Sequence, residues 1–264
     1  MNVLITGAAG GLGRAFAVEC AKRGYNLLLT DINEAGLLSI REGLERRYGS
    51  RVLIMPLDIT QSAGLEKLFC FAREAGFRID MLVNVAGGDA EGAFLERDGA
   101  TIARLVRLNV VAALEATHSA LEARNPDIPF YVVFVSSLAS MYPMPYKAAY
   151  AASKRFLLDF SLALRQELAD RNVHVTTLCP AGLATTRQAM AGMAVQGFMG
   201  SATANSLEII TKRTLDKVLR GRFLYIPGLI NKLMYAASRF IPRPLIARLI
   251  HRRWGRARER AGAR

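Results

Sequence analysis

The sequence predicts an α/β fold built on a doubly wound parallel sheet, and three observations lead to that prediction. Short apolar runs alternate with stretches of helical length from the first residues to about position 180. The apolar runs are continuous, which is typical of strands buried on both faces. No repeat or low-complexity linker interrupts residues 1–180. Strands separated by helices form right-handed parallel units, so the pattern predicts a single doubly wound domain.

The individual elements follow in chain order. The first apolar run, VLIT, ends at a cluster of glycines, and each later run, such as YNLLLTD or FYVVFVSS, is followed by a stretch that we predict to be helical. Strands are expected at 3–6, 25–31, 51–58, 81–87, 130–137, 174–180 and 222–227. Helices are expected at 12–23, between the second strand and about Tyr48, at 61–76, at about 99–123 and at about 148–170.

Composition limits the possible classes of protein. Of the 264 residues, 52% are apolar, which is enough for a sizeable core. No run of about 18 uncharged apolar residues occurs, which argues against a membrane-spanning helix. Strand-like residues begin at position 2 and leave no room for a secretion signal, so we expect a cytoplasmic protein. The cysteines and histidines are scattered, so we predict reduced, buried thiols and no metal site.

The positive charge is concentrated at one end of the chain. Residues 211–264 contain 15 Lys/Arg and 2 Asp/Glu, whereas residues 1–210 contain 20 of each. The net charge of +13 therefore belongs to a basic C-terminal part attached to a neutral body. Because the body is neutral and shows no nucleic-acid motif, we expect no nucleic-acid partner.

A glycine-rich segment, ITGAAGGLGRA, follows the first predicted strand and opens the first predicted helix. Thr6, Gly7, Gly11 and Gly13 give the pattern T-G-x-x-x-G-x-G. Glycines let the backbone approach a pyrophosphate closely, and the helix N-terminus offers it free N–H groups. In this context the segment predicts a dinucleotide site rather than a plain tight turn.

An acidic residue at the end of the second strand indicates which dinucleotide binds. Asp31 lies about 20 residues after the glycines, where a carboxylate can accept hydrogen bonds from adenosine ribose hydroxyls and would repel a 2′-phosphate. The next residue, Ile32, is not a cation. We therefore predict NAD as the cofactor and regard NADP as the less favoured alternative.

The segment SSLASMYPMPYKAAYAASK contains a second cluster of chemically useful residues. Tyr150 and Lys154 are four residues apart and share one face of the predicted helix. A free phenol has a pKa of about 10, and a nearby ammonium group favours the phenolate. Ser137 lies at the end of the preceding strand. The spacing predicts a phenol that can exchange a proton with a substrate oxygen.

With these motifs in order, residues 1–186 resemble the classical short-chain dehydrogenase/reductase family. TGAAGGLG matches the cofactor loop of the family, and Asp58 matches the acidic residue that the family places near the adenine. NVAG matches the N-N-A-G motif, with Val85 in place of the second asparagine, and LNVVA matches the segment that contains the catalytic asparagine. Ala181 stands where glycine is usual, which leaves the path of the loop around Pro180 to Gly182 open. The resemblance implies a Rossmann-like fold and a catalytic tetrad of Asn109, Ser137, Tyr150 and Lys154.

The resemblance also implies a role for each site residue. Tyr150 is the expected general acid and base, Ser137 binds the substrate oxygen, Lys154 holds the nicotinamide ribose, and Asn109 anchors a water. The expected cofactor-binding residues are Thr6, Gly7, Ala9, Gly11, Leu12, Gly13, Asp31, Asp58, Ile59, Asn84, Ala86, Gly87, Tyr150, Lys154, Pro180, Gly182, Leu183 and Thr185.

The segment 186–221 is expected to cover the substrate, although plain helix packing is an equally good interpretation. It is rich in methionine, alanine and glycine. An apolar, adaptable wall favours a bulky apolar alcohol or ketone over a sugar. The expected substrate-contacting residues are Ser137, Met141, Tyr142, Tyr146, Met190, Met193 and Phe198.

The C-terminal extension, 228–264, follows the predicted catalytic domain, 1–227. Pro242 and Pro244 divide it into two predicted helices, and the second is basic and amphipathic. That pattern suits an anionic membrane surface through 228–254, and it also suits packing on the domain or on a partner subunit. The location is then cytoplasmic, with peripheral contact at the inner membrane surface as a possibility that the pattern leaves open.

These observations predict an NAD(H)-dependent oxidoreductase that interconverts a hydrophobic secondary alcohol and its ketone, such as a steroid-like, 3-hydroxyacyl or other lipid-derived substrate. The alternative is a dinucleotide-sensing or lipid-surface binding protein without turnover. By analogy with related folds, the helices at about 99–123 and 148–170 predict a homodimer or homotetramer.

Overall fold

The computed structural model describes residues 1–182 and 206–262. In these residues seven parallel strands form one sheet, in the order β3-β2-β1-β4-β5-β6-β7. The doubly wound parallel fold predicted from the sequence is confirmed. The strands are β1 (Asn2–Thr6), β2 (Asn26–Asp31), β3 (Val52–Pro56), β4 (Met81–Asn84), β5 (Phe130–Val135), β6 (Val173–Leu178) and β7 (Leu224–Tyr225).

Helices cover both faces of the sheet. Two caps are visible at α2, where the Asn33 side chain accepts from the Gly36 N–H and Gly49 ends the helix in a left-handed conformation. The helices of the described residues are α1 (Gly11–Lys22), α2 (Glu34–Tyr48), α3 (Ser62–Glu74), α4 (Gly99–Val106), α5 (Ala112–Glu122), α6 (Ala148–Glu167), α7 (Leu207–Leu219), α8 (Leu229–Ser238) and α9 (Arg243–Gly262).

The sheet separates two layers of core. In β1, Val3 and Ile5 pack into the layer that contains Phe16 of α1. Leu4, which points to the opposite face, packs into the layer that contains Leu68 of α3. Successive residues of a strand face opposite sides of the sheet, and both sides are buried here. This arrangement explains why the apolar runs are continuous.

The long helix expected at about 99–123 is present and includes one π-helical turn. A π-helical turn, Arg107–Val111, separates α4 from α5 and carries Asn109. Such turns insert one extra residue and are frequent at functional sites. The prediction of a helix over about 99–123 is confirmed, and the π-helical turn within it was not predicted; there the Asn109 side chain donates to Gly88 and Ser153.

The C-terminal part forms two helices joined by a short turn that contains Pro242. They lie over the carboxyl end of the sheet and help to line the large cleft there. Within the described residues, no helix is both long enough and apolar enough to cross a membrane.

Candidate active site

A cleft of about 1520 Å³ opens at the carboxyl ends of the parallel strands. This is the edge of a doubly wound sheet where ligands bind. The glycine loop forms one end of the cleft, Tyr150 and Lys154 lie deeper, and α8 and α9 form the opposite wall. Of the predicted site residues, the cleft is lined by Gly7, Gly11, Leu12, Gly13, Asp31, Asp58, Ile59, Ala86, Gly87, Ser137, Tyr142, Tyr150, Lys154, Pro180 and Gly182.

The glycine loop has no space for side chains at two positions. Gly7 has φ +66°, and a Cβ there would lie 2.7 Å from the Ala86 backbone. A Cβ on Gly13 would lie 2.1 Å from the Gly7 carbonyl oxygen. Between them α1 begins at Gly11, so its free N–H groups face the cleft. This bare backbone beside a helix N-terminus fits the pyrophosphate of a dinucleotide.

Thr6 and Ala9 support the loop from outside the cleft lining. The Thr6 hydroxyl accepts hydrogen bonds from the N–H groups of Val85 and Ala86, at 3.2 and 3.3 Å. The Ala9 N–H donates to Asp31 at 3.0 Å. These bonds tie the loop to the ends of β4 and β2, so both residues hold the site in shape.

Two carboxylates lie at the far end of the cleft, where an adenosine would bind. The two oxygens of Asp31 each accept one backbone N–H, from Ala9 and Asn33, both at 3.0 Å. Asp58 accepts the Thr60 N–H at 2.9 Å. Each carboxylate is therefore held in place by the backbone and retains lone pairs for ribose or adenine groups.

Asn84, predicted to contact the cofactor, points elsewhere. It is buried, and its amide donates to the Thr117 hydroxyl at 2.9 Å. It does not line the cleft as Gly87 does. Asn84 therefore joins β4 to α5, and its part in the site is to fix the strand end.

Asn109 and Lys154 meet across Gly87. A Cβ on Gly87 would lie 3.0 Å from both Asn109 Oδ1 and Lys154 Nζ. The Asn109 amide donates to the Gly88 carbonyl and the Ser153 hydroxyl, each at 3.0 Å, and its oxygen accepts the Gly88 N–H at 2.8 Å. The Asn109 side chain is thus fixed on every polar atom and ties the π-helical turn to α6.

Ser137 and Tyr150 form the centre of the cluster. The Ser137 hydroxyl accepts the Ala139 N–H at 3.1 Å, and both Ser137 and Tyr150 line the cleft. The Ser136 hydroxyl donates to the Lys154 carbonyl at 2.7 Å, which fixes α6 against the end of β5. The Lys154 ammonium donates to the Val135 carbonyl at 3.0 Å and lies 6.0 Å from the Tyr150 ring centroid.

Burial shifts the pKa values of this cluster. It raises the pKa of Tyr150, while the hydrogen bond from Ser137 and the charge of Lys147 act to lower it and the charge of Asp89 raises it. Burial lowers the pKa of Lys154 to about 8. The sequence analysis expected the Lys154 ammonium to lower the pKa of the phenol. The pKa of Tyr150 is instead raised, because desolvation is the largest of the effects that act on it.

Lys147 is a residue that the sequence analysis missed. Its ammonium pairs with Asp89 at 2.7 Å and Glu91 at 3.1 Å and lies 5.7 Å from the Tyr150 ring centroid. It also lies 5.6 Å from the Trp254 ring centroid, across the cleft on α9. Lys147 is three residues before Tyr150, a helical spacing that could have identified it.

The predicted substrate-contacting residues divide into three groups. Tyr142 lines the cleft. Met141 does not, because it packs in a small core cluster with Leu158, Cys179 and Ile226. Tyr146 has φ +66° and stacks on His251 of α9 at 5.3 Å between ring centroids, so it holds the helix rather than the substrate space. Leu183, Thr185, Met190, Met193 and Phe198 lie outside the described residues.

The two C-terminal helices provide most of the apolar lining of the cleft. The sequence left three interpretations of this basic extension open, and the described part of it packs on its own domain. Its apolar lining consists of Met234, Ala237, Ile241, Ile246, Leu249, Ile250 and Trp254. The cleft therefore has a polar, dinucleotide-shaped half and an apolar half.

Comparison with known proteins identifies the family. The family profile described as short chain dehydrogenase matches residues 1–194. The chain belongs to the short-chain dehydrogenase family. Two curated relatives are similar to it. Bos taurus 3-ketodihydrosphingosine reductase is 31% identical over 183 residues, 68% of this chain and 55% of the relative. A Staphylococcus epidermidis diacetyl reductase, (S)-acetoin forming, is 31% identical over 186 residues, 70% of this chain and 72% of the relative.

Solved structures of the family share the fold. A Burkholderia phymatum short-chain dehydrogenase/reductase in complex with NAD has a TM-score of 0.79 at 22% identity and covers 89% of this chain and 91% of its own. A Sphingobium yanoikuyae short-chain dehydrogenase in complex with NADPH has a TM-score of 0.78 at 25% identity and covers 92% and 96%. The bovine relative is matched over little more than half its length. The short-chain dehydrogenase described here therefore shares the Rossmann-like fold of these structures.

Proposed function

We propose that this short-chain dehydrogenase interconverts a hydrophobic secondary alcohol and its ketone, with NAD(H) as the cofactor and Tyr150 as general acid and base. The observation that carries the proposal is the partly buried Tyr150 phenol, which lies beside Ser137 and Lys154 in a cleft with a polar half and an apolar half. In this proposal a carbonyl bound beside the phenol can reach both a hydride donor and a proton donor.

Three parts of the cleft support the binding of a dinucleotide. The N-terminus of α1 would bind the pyrophosphate, Asp31 the adenosine ribose, and Lys154 the nicotinamide ribose. When bound, the dinucleotide supplies or accepts the hydride at its nicotinamide ring. The protein contributes position, desolvation and the proton.

In the direction of reduction, the proton moves from the Tyr150 hydroxyl to the carbonyl oxygen as the carbonyl carbon receives the hydride. The phenolate that remains would be stabilised by Ser137 and by the charge of Lys147, the two groups that act to lower the pKa of Tyr150. In oxidation the phenolate takes the alcohol proton. Because burial raises the pKa of Tyr150, the free protein favours the protonated phenol that reduction requires.

Asn109 has a positioning role in this proposal. Its side chain uses its bonds to hold Gly88 and Ser153, and it faces Lys154 across Gly87. A substitution would release the π-helical turn and let the Lys154 ammonium move from its position beside the phenol. A water bound near Asn109 would connect Lys154 to solvent and restore the proton between turnovers.

The apolar half of the cleft supports a lipid-like substrate. Ile246 and Ile250 of α9 and Met234 of α8 form a wall too apolar for a sugar. The bovine relative is named a 3-ketodihydrosphingosine reductase and the staphylococcal relative a diacetyl reductase. The lining favours the longer class, such as a steroid-like or 3-oxoacyl ketone.

Asp31 supports a preference for NAD. Its carboxylate is fixed by two N–H groups, and the exposed residue beside it is Ile32 rather than a cation. A 2′-phosphate would meet this negative charge without a positive partner. Neighbouring structures contain either NAD or NADPH, so this preference belongs to the proposal.

The proposed chemistry is tested with Tyr150→Phe. The variant keeps the ring and loses the proton donor, so we expect turnover of a panel of steroid, 3-oxoacyl and short aliphatic ketones to fall by at least about a thousandfold. NADH binding, measured by fluorescence, should persist. The matched control is Tyr131→Phe, which loses a hydroxyl near the opposite edge of the sheet.

An active Tyr150→Phe variant would refute the proposed mechanism. A parent protein that binds NADH but reduces no ketone on the panel would instead favour the alternative, a dinucleotide-sensing protein on the same fold. Three apolar side chains are exposed on α4 and α6, namely Val106, Phe156 and Leu162. They support a dimer or tetramer formed through these helices, and light scattering would measure the molecular mass that tests it.

A further inference from the structure

The C-terminal helices combine positive charge with exposed apolar residues. Between positions 228 and 258 the sequence has eight Lys/Arg and no Asp/Glu. In the structure this stretch forms α8, the following turn and the first part of α9. Three large apolar side chains stand in solvent, with Leu229 exposed to 71%, Leu233 to 61% and Phe240 to 89%. Soluble proteins rarely leave such residues clustered without a function.

The exposed apolar surface continues into the cleft. Met234, Ile241 and Leu249 are exposed and also line the cleft. Ile246 and Ile250 lie further in, on the cleft wall. The mouth of the substrate space therefore opens onto the same apolar surface that Leu233 and Phe240 belong to. An apolar ligand could move from one to the other without leaving apolar surroundings.

The charges beside this surface favour one kind of partner. Arg239, Arg243 and Arg248 are exposed and flank Phe240 and Leu245 along the chain. A second copy docked face to face would bring these arginines against each other, which opposes a symmetric contact. Anionic lipid headgroups would neutralise them, while the apolar residues enter the acyl boundary.

We infer that α8, the α8–α9 turn and the first part of α9 dock on an anionic lipid bilayer, and that the docked face carries the entrance of the substrate cleft. The described helices are not able to span a membrane, so the contact is one of the surface. The second half of the inference rests on the proposed function: a lipid ketone would pass from the bilayer to Tyr150 without crossing water.

Docking is tested by sedimentation of the full chain with vesicles, with no turnover required. We expect binding to vesicles of phosphatidylcholine mixed with phosphatidylglycerol, and weak binding to phosphatidylcholine alone. The double variant Leu233→Ser/Phe240→Ser should lose at least about tenfold in partitioning. The matched control, Ile128→Ser/Ile209→Ser, removes two exposed apolar side chains away from these helices and should bind like the parent.

A charge variant separates the two parts of the contact. Arg243→Glu/Arg248→Glu should weaken binding to anionic vesicles by at least about tenfold, since the variant replaces two cations near an anionic surface with two anions. Equal sedimentation of the parent and both variants would overturn the inference. So would a fall in molecular mass of Leu233→Ser/Phe240→Ser without a change in vesicle binding, because that result assigns the surface to a second copy.

The entrance is tested by kinetics on two ketones. For a ketone dissolved in vesicles, Leu233→Ser/Phe240→Ser should raise KM about tenfold, while kcat and the kinetics of a short water-soluble ketone stay unchanged. An equal effect on both ketones would refute the inference that the docked face carries the entrance of the cleft. Turnover without docking would refute the inference and leave the proposed function standing. Docking without turnover of either ketone would refute the proposed function and leave the docking surface standing.

Discussion

Replacement of Gly13 by alanine should damage both the stability of the fold and the dinucleotide site. The added Cβ would lie 2.1 Å from the Gly7 carbonyl oxygen, 2.8 Å from the Ala8 Cα and 2.9 Å from the Gly7 carbonyl carbon. All three are backbone atoms, so no side chain can rotate to relieve the contact. Overpacking costs about 1–3 kcal/mol where side chains can adjust, so we expect a loss of about 3 kcal/mol or more.

The stability assay is thermal unfolding followed by circular dichroism. In a chain of this size about 3 kcal/mol corresponds to a fall in Tm of roughly 6–12 °C. The matched control is Gly43→Ala in α2, where the glycine is exposed and no atom lies within 4 Å of the new Cβ. There alanine is the better helix former, so unfolding should cost about 0.5–1 kcal/mol more than in the parent.

The binding assay is calorimetric titration with NAD⁺. Relief of the clash in Gly13→Ala would push the Gly7 peptide toward the space in which a pyrophosphate would lie, so we expect affinity to fall by at least about tenfold. A Gly13→Ala protein with the parent's Tm and the parent's affinity would refute this reasoning. A loss of stability in Gly43→Ala would show that the effect is not specific to the loop.

Three further substitutions test the electrostatics of the cleft. Asp31→Ser/Ile32→Arg should raise KM for NADH about tenfold or more and lower it for NADPH, measured as nicotinamide absorbance; an unchanged preference would count against the role of Asp31. Lys147→Met removes a charge that lowers the pKa of Tyr150, so the pH profile of alcohol oxidation should move to higher pH, whereas Lys147→Arg should leave it in place. Lys154→Met should abolish turnover yet unfold at higher temperature than the parent at pH 7. The pKa of Lys154 is lowered from 10.5 to about 8 in the folded protein, so the buried ammonium reduces the free energy of unfolding of the parent below about pH 8. As the pH rises from about 8 to 10.5 the folded protein loses this charge, and the difference in Tm between Lys154→Met and the parent should shrink.

The strands and most of the cleft were predictable because their signals are local. Each strand is an apolar run buried on both faces, and the glycine loop must follow β1 for steric reasons that appear in the sequence as Gly7 and Gly13. Tyr150 and Lys154 share a helix, so their spacing alone brings them together. Such features need no knowledge of distant parts of the chain.

The parts that were not predictable depend on contacts between distant segments. The π-helical turn at Asn109 is fixed by Gly88 and Ser153, which lie 21 and 44 residues away. Met141 is next to Tyr142 in sequence, but only the fold determines that it packs against Leu158 rather than lining the cleft. The periodicity of the sequence predicted an apolar face on α9, but it could not indicate that this face lines the cleft.

The position of β1 in the sheet has a consequence for how the chain folds. β1 precedes the other six strands of the sheet in the chain, yet it lies between β2 and β4, and β4 begins only at Met81. The Thr6 hydroxyl cannot accept hydrogen bonds from the N–H groups of Val85 and Ala86 until β4 has paired with β1. Parallel pairings of this kind join distant residues and form slowly. We therefore expect a newly made chain to acquire its glycine loop late and to close its cleft last, when α8 and α9 have left the ribosome.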